Sequence, residues 1–586
     1  MAAASKPRPK PQRVSLAMGK RLSGNVKDGL SGAFDALRSA PGRPELLLIP
    51  QDLRTADPSL YAELAAGTMG LAGATADIDG RSPFRVDPPT PAWQAALLGF
   101  GWLSDLRAAQ SADAQSLARQ SVNNWIAEAR PLRSLDWSPA IAARRLMSWL
   151  TNAGLLLEGA PADSYDRILT SCEAHMANLS ELAPKAAGMP RLLTHMALLM
   201  GAMCITDQEQ RLRAALRGLE AELERQILPH GGHISRNPAV LVELMLDLLP
   251  LKQCFIARDM EPPTGLIDVL RRMTPMLRHL QLGDRSLARF NGMAATEIDK
   301  LATVLSYDSG ESLQIRALDL SLASRYLRLV RRGTTLLMDG GAPPPKELSV
   351  EAGAGALAFE MSSNGCLVIV NAGAPTPADQ DWRLQSRGTA AHSTLVLNEA
   401  ASSRIVDDPR DPDAPPRLLG PSAVEAKIVE PGDGAIEIQG QHNGYMDRFG
   451  MMHGRIVKLS AQGDRLSGLD RIHQPQRLVL AGHADRTFAI HFHLHPQAKV
   501  RFGDDPETAE IALRNGETWR FSARGTKLGL EDGLFFANFA GPLRTVQIVL
   551  RGHAREDTQV RWKLERLATE PAPTAPEPNL APEPQI

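Results

Sequence analysis

Leu357-Ala358-Phe359-Glu360-Met361, then Ser362-Ser363-Asn364-Gly365, then Cys366-Leu367-Val368-Ile369-Val370 is the stretch from which the fold can be read. Two short apolar runs joined at Asn-Gly spell a β-hairpin, because the tightest hairpin turns need positive φ at their centre and Asn-Gly accepts it cheaply. The same device recurs in Ile511-Ala512-Leu513-Arg514-Asn515-Gly516-Glu517-Thr518-Trp519-Arg520-Phe521. Around these hairpins lie further short strand patterns: Thr394–Leu397, Ala435–Ile438, Arg455–Leu459, Phe488–Leu494, Leu534–Phe539 and Val546–Leu550. No helical pattern of useful length interrupts them, so antiparallel sheets are expected rather than a parallel α/β sheet.

Toward the N-terminus the period changes near Tyr326. From about residue 45 to 320 apolar residues recur at helical spacing, in Trp93–Leu106, Ala140–Leu157, Leu192–Cys204, Leu212–Ile227, Val240–Leu251 and Leu266–Leu280. Pro91, Pro139 and Pro161 stand where first turns should begin, and Gly159, Gly201 and Gly265 stand near ends. Closely successive helices without a lasting heptad imply antiparallel helical hairpins rather than a coiled coil. The expected organisation is a basic, flexible arm (1–44), a helical domain (45–325), an antiparallel β domain (326–566) and a Pro-rich disordered tail (567–586).

Composition narrows the function classes. The 586 residues carry 65 Lys+Arg against 66 Asp+Glu, a net charge of −1, which argues against a nucleic-acid binder and against an acidic disordered chain. Cys172, Cys204, Cys254 and Cys366 lie far apart with no C-x-x-C pair, so neither a disulfide scaffold nor a cysteine zinc site is expected. No stretch approaches the ~20 consecutive apolar residues that span a bilayer, and no integral membrane segment is expected. The first 27 residues hold seven Lys/Arg and no acid, and their apolar run, Val14 to Met18, is too short for a secretory signal, which reads as a cytoplasmic chain.

Standard nucleotide motifs, a G-x-S-x-G elbow and H-E-x-x-H are all missing from the sequence. What remains are polar clusters interrupting apolar segments. His230-Gly231-Gly232-His233-Ile234-Ser235-Arg236-Asn237-Pro238 precedes a helix: Asn237 and Pro238 suit a capped helix start, and Arg236 with His233 suits an anion site at its N-terminus. Arg289-Phe290-Asn291-Gly292 is a similar loop, and Ala352-Gly353-Ala354-Gly355-Ala356 is a plain Gly/Ala loop. Ser386-Arg387-Gly388-Thr389-Ala390-Ala391-His392-Ser393-Thr394 puts a histidine at a strand entrance, as an acid, base or ligand or as a sheet-edge hydrogen bonder. Gln441-His442-Asn443-Gly444-Tyr445, with Arg448 and His453-Gly454-Arg455 after it, reads either as a capped turn or as a site loop carrying Tyr445. His491, His493 and His495 alternate onto one strand face.

In this order the pieces resemble the heparinase II/III-like family of polysaccharide lyases: a helical half, the His/Gly/Arg loop before a helix, then a β half entered through Arg387-x-x-x-x-His392-Ser393-Thr394-Leu395-Val396. The resemblance covers roughly residues 85 to 560. It implies an incomplete (α/α) toroid over 45–325 joined to an antiparallel β-sandwich over 326–566, with the substrate groove between them. It also implies β-elimination next to a uronic acid, in which a Tyr or His takes the C5 proton while another group neutralises the carboxylate.

On that resemblance the catalytic candidates are His392, Tyr445, Arg236 and Asn237, and the substrate-binding candidates are His233, Arg387, His442, Arg448 and Asn291. The expected partner is an acidic polysaccharide, and the family's usual compartment, the cell envelope, stands as the alternative to the cytoplasm. No cofactor is required. A structural zinc of the family would find counterparts in His392, Asp408 and His453. Departures are visible too. The strand entrance reads Ala390-Ala391-His392, short of one histidine and an aspartate, Ala239 stands where a Tyr usually begins the helix, and Met189-Pro190-Arg191 replaces an Asn-His pair. These departures carry an alternative reading, a non-catalytic polysaccharide-binding protein. A glycoside hydrolase using carboxylates among Glu243, Asp247, Glu297 and Asp299 ranks last, because none of these lies in a polar loop.

Overall fold

The computed structural model describes residues 44–128, 135–308, 310, 312–375, 380–409, 415–475 and 486–567. Nearly all of the expected arm and tail lie outside these residues. The chain divides into two compact units, the first running to residue 216 except for 51–56 and 70–76, which belong with residues from 217 onward.

The first unit is helical. Its helices include Pro91–Gly99, Ala112–Glu128, α1 (Pro139–Thr151), α2 (Ala162–Leu182) and α3 (Gly188–Cys204). Pro91 and Pro139 occupy first-turn positions as expected. Gly201 lies within the last turns of α3, where a Cβ would fall 2.4 Å from Met176 Sδ, so close packing against α2 requires glycine there. The core holds Phe100, Trp102, Trp125, Trp137 and Trp149 around Arg145. The fully buried Arg145 guanidinium sits 4.1 Å from the Trp125 ring centroid and donates to His175 Nε2, Leu98 O and Asp136 O. Burial pushes it down to about 9.

The second unit carries α4 (Pro238–Ala257), α5 (Thr264–His279), α6 (Ala317–Ser324), two large sheets and a small two-stranded one of Arg404–Val406 with Arg417–Leu419. The strands are β1 (Tyr326–Arg331), β2 (Thr334–Asp339), β3 (Phe359–Ser363), β4 (Cys366–Val370), β5 (Leu395–Leu397), β6 (Val424–Val429), β7 (Ile436–Tyr445), β8 (Met451–Leu459) and β9 (Arg465–His473). They continue with β10 (Arg486–Leu494), β11 (Lys499–Phe502), β12 (Thr508–Ala512), β13 (Thr518–Arg524), β14 (Lys527–Phe535), β15 (Leu543–Ala554) and β16 (Asp557–Arg566). One sheet runs β14-β15-β10-β4-β3-β2-β1, with β5 on β10; the other runs β6-β7-β8-β9-β16-β13-β12-β11. All their pairings are antiparallel. Their facing sides enclose one core, including Phe359, Phe492, Phe521, Trp519 and Trp562.

The deciding hairpin forms as read. Ser363 pairs with Cys366, and Asn364 and Gly365 both have positive φ (41° and 80°), the requirement that Asn-Gly meets at least cost. One polar stretch expected in a turn or loop is instead strand, since Gln441 to Tyr445 ends β7 with a bulge, while the strand read at Arg455–Leu459 begins earlier, so that His453-Gly454-Arg455 lies within β8.

Candidate functional site

The loop before α4 is built by its glycines. At Gly231 (φ 85°) a Cβ would lie 2.0 Å from the Arg272 carbonyl oxygen, so no side chain fits. Asn237 caps the helix, its Oδ1 accepting from Ala239 N–H at 2.9 Å, with Pro238 at the first helical position. Of the two readings of this loop, the capped start is therefore present. Arg236, with left-handed backbone (φ 61°), turns its side chain inward. Its Nη2 donates to Asp339 Oδ1 at 2.5 Å, its Nη1 to Ser324 O at 3.1 Å, and its guanidinium lies 4.4 Å from the Tyr326 ring centroid.

Around that pair a closed cluster forms. Tyr326 Oη donates to Arg236 O at 2.5 Å, and Asn291 Nδ2 donates to Tyr326 Oη at 2.8 Å and to Asp339 Oδ2 at 3.0 Å. Gly341 has to be glycine, since a Cβ would fall 2.3 Å from Arg236 Nη1. Burial lowers the Arg236 guanidinium, but the Asp339 carboxylate outweighs it and holds Arg236 above its ordinary value. Burial drives the Tyr326 phenol well above the usual tyrosine range. His233 is buried between Ser235 Oγ (2.7 Å) and Gln226 Oε1 (3.2 Å), and burial pushes both His230 and His233 down to about 4. The void lined by His230, His233, Arg236, Asn237 and Tyr326 measures about 20 Å³, enough for a water and far too small for a sugar. Of the pair expected to form an anion site, Arg236 is thus already paired with Asp339 and His233 is a neutral, buried imidazole. Asn237 caps the helix, and Asn291 is buried as a bridge between Tyr326 and Asp339.

The β half holds the other candidates, most of them buried. His392 is buried with Nδ1–H donating to Gly388 O at 2.8 Å. It rests on Gly353 and Gly355, where Cβ atoms would come within 2.5 and 2.6 Å of the ring, so the Gly/Ala run expected to be a plain loop is its seat. Burial lowers its pKa, which keeps the imidazole neutral. Arg387 is buried and spends its guanidinium on the carbonyls of Ala352, Pro416 and Ser349 at 2.9–3.0 Å, so it fastens loops. Tyr445 is fully buried in the sandwich core and donates to Leu395 O at 2.5 Å; burial raises its pKa far above the ordinary value.

His442 belongs to an internal chain whose tautomers follow from its ends. Gly444 N–H donates to His442 Nδ1 (3.0 Å), so His442 Nε2–H donates to His453 Nδ1 (3.1 Å) and His453 Nε2–H to Asp470 Oδ1 (2.7 Å). Asp470 also accepts from Arg455 Nε (2.7 Å) and Trp562 Nε1 (2.8 Å). Burial opposes its charge, yet Arg455 and His453 hold the carboxyl well below the usual range. His493 donates from Nε2 to Ala390 O at 2.8 Å, and His491 Nδ1 meets Gln547 Oε1 at 2.9 Å. Arg448 alone among the candidates is exposed, and it donates to Ala401 O.

The zinc counterparts each have partners within the protein. Asp408 pairs with Arg417 at 3.2 Å, and both nitrogens of His453 are engaged. Among the described residues no group of three or more His, Cys, Asp or Glu could hold a metal ion. Tyr326 and Asp339 went unnoticed in the sequence as members of a polar cluster. Asp339-Gly340-Gly341 after a strand was the available signal, since paired glycines leave room for a neighbouring group.

Comparison with known proteins fits this architecture. Residues 316–563 match the family described as Heparinase II/III-like, C-terminal. The structure aligns with heparinase III (TM-score 0.68, 13% identity, 94% of this chain and 92% of that one) and with the heparan sulfate lyase HepC of Pedobacter heparinus, crystallised as a mutant (0.58, 14%, 94% and 90%). The fold is thus the one expected, an incomplete (α/α) toroid followed by an antiparallel β-sandwich, and at these identities the likeness speaks for fold alone. In sequence, the chain is 26% identical over 592 residues to FtsZ-localized protein C of Caulobacter vibrioides, spanning 95% of this chain and 99% of the relative.

Proposed function

We propose that this protein handles an acidic, uronate-containing polysaccharide on a heparinase-like scaffold by binding it rather than by cleaving it. The observation that carries this reading is that Tyr326, Tyr445 and His392 are each buried, with a hydroxyl or ring N–H spent on a backbone carbonyl. Elimination needs a base within hydrogen-bond reach of the C5 proton, and a buried phenol raised above its usual range does not ionise at neutral pH. Heparin, heparan sulfate, alginate and hyaluronan offered to the full chain should give no ultraviolet absorbance from unsaturated uronate, while at least one is retained in affinity electrophoresis. Arg448, the exposed cation among the candidates, should contribute to that retention.

Elimination is the second reading, favoured by one specific arrangement. Left-handed backbone at Arg236 and Asn291 gathers an arginine, an asparagine and Tyr326 in one cluster, and such backbone collects at functional sites. A rise in absorbance that Tyr326→Phe abolishes would establish it. The relative's name also motivates an association with FtsZ for this chain, tested by co-sedimentation with FtsZ polymers. Fractionation of tagged protein discriminates the cytoplasm from the cell envelope as its compartment.

A further inference from the structure

The outward face of the β6–β9 sheet carries a groove of about 520 Å³ lying across the strands. Cross-strand register lays one row along it: Glu425 opposite Gln441, Gln441 opposite Gly454, Gly454 opposite Arg471, and Arg471 opposite Gln559. Four inter-strand steps of about 4.8 Å make this row roughly 19 Å long. Ile456 and Leu469, paired in the next row, supply an aliphatic floor.

Gly454 is the telling position. Elsewhere in this sheet glycine is imposed by packing: a Cβ would lie 2.5 Å from Leu357 at Gly440 and 2.0 Å from Trp562 at Gly468. At Gly454 a Cβ would meet nothing nearer than 3.7 Å, ordinary contact. The missing side chain serves the groove and not the core, as glycine does where a ligand approaches a strand.

We propose that this groove binds an uncharged oligosaccharide chain. Planar amide, guanidinium and carboxylate groups set along one line match successive sugar hydroxyls, and the aliphatic floor matches their C–H faces. The face carries no surplus of free cations for an acidic polymer, since Arg471 is already engaged bidentately by Asp557 at 2.8 Å and Glu425 in the row offsets Lys427 in the next one. A peptide would find the inner strands' backbone already paired on both sides. This site is independent of the acidic-polymer reading above.

Calorimetric titration of the full chain with cellohexaose, chitohexaose and maltohexaose tests it, with an alginate hexamer alongside and with Gly454→Leu and Gln441→Ala compared. At least one uncharged hexamer should bind, Gly454→Leu should weaken it tenfold or more with circular dichroism unchanged, and Gln441→Ala should weaken it severalfold. No binding of any uncharged hexamer, unchanged binding by Gly454→Leu, or binding of the alginate hexamer alone would overturn the proposal. Gln441→Ala, which removes only a surface amide, decides the matter should Gly454→Leu fail to fold.

Discussion

The two faces of strand β8 use polar residues in opposite ways. Inward, His453 and Arg455 are locked with Asp470, His442 and Trp562 into a network with no exposed member. Outward, Gly454 separates Gln441 from Arg471 along an open groove. Adjacent residues of one tripeptide thus serve a closed interior and an open surface, because successive side chains on a strand point to opposite faces. The lesson is that polarity in a β protein becomes function only when the face is known.

The comparison breaks most readily at Asp470. Asp470→Ala would leave Arg455 as an uncompensated buried charge and strip acceptors from His453 and Trp562, costing about 3–5 kcal/mol. Urea denaturation followed by tryptophan fluorescence should show it, and a loss under about 1 kcal/mol would mean the inner network is open to water.

Acid provides the next test. His233 and His279 are buried and held at about 4. Below the unfolded value of about 6.5 the unfolded chain takes up protons that these folded histidines refuse, so stability falls as pH drops from 6.5 toward 4. Each contributes up to about 3 kcal/mol of that fall. His233→Gln should flatten the slope in a pH series of melting curves; an unchanged slope would show that His233 titrates normally.

Tyr445→Phe should cost about 1–3 kcal/mol by leaving the Leu395 carbonyl without its donor, while polymer retention stays at the wild-type level. Loss of retention with stability intact would return Tyr445 to the site. The smallest effects sharpen the contrast most directly. Gly454→Ala should stabilise by about 0.5–1 kcal/mol, since alanine loses less backbone freedom, whereas Gly440→Ala should destabilise by forcing a Cβ against Leu357. Equal signs in thermal melts would end the distinction between packing glycines and the groove glycine.

Much of the fold was legible because its signals are local. Asn364-Gly365 states its own backbone requirement, Pro139 marks a first turn, and helical periodicity needs no distant partner. The site was far less legible. Arg236 meets Asp339 across 103 positions and Tyr326 across 90, so only the folded chain brings them together. The inward role of His453 and Arg455 stayed hidden because charge in sequence does not reveal that Asp470 waits on the neighbouring strand to neutralise it. His392 looked accessible among small residues, yet Gly353 and Gly355 are small so that the imidazole can be enclosed.

The fixed tautomers of His442 and His453 make the β half self-reporting. Each ring keeps its Nε2 proton in a hydrogen bond shut away from water. Such protons are released to solvent only when the sandwich opens. Their downfield proton resonances, one per ring, would therefore count opening events in an unlabelled sample and would register any ligand or partner that clamps the two sheets together.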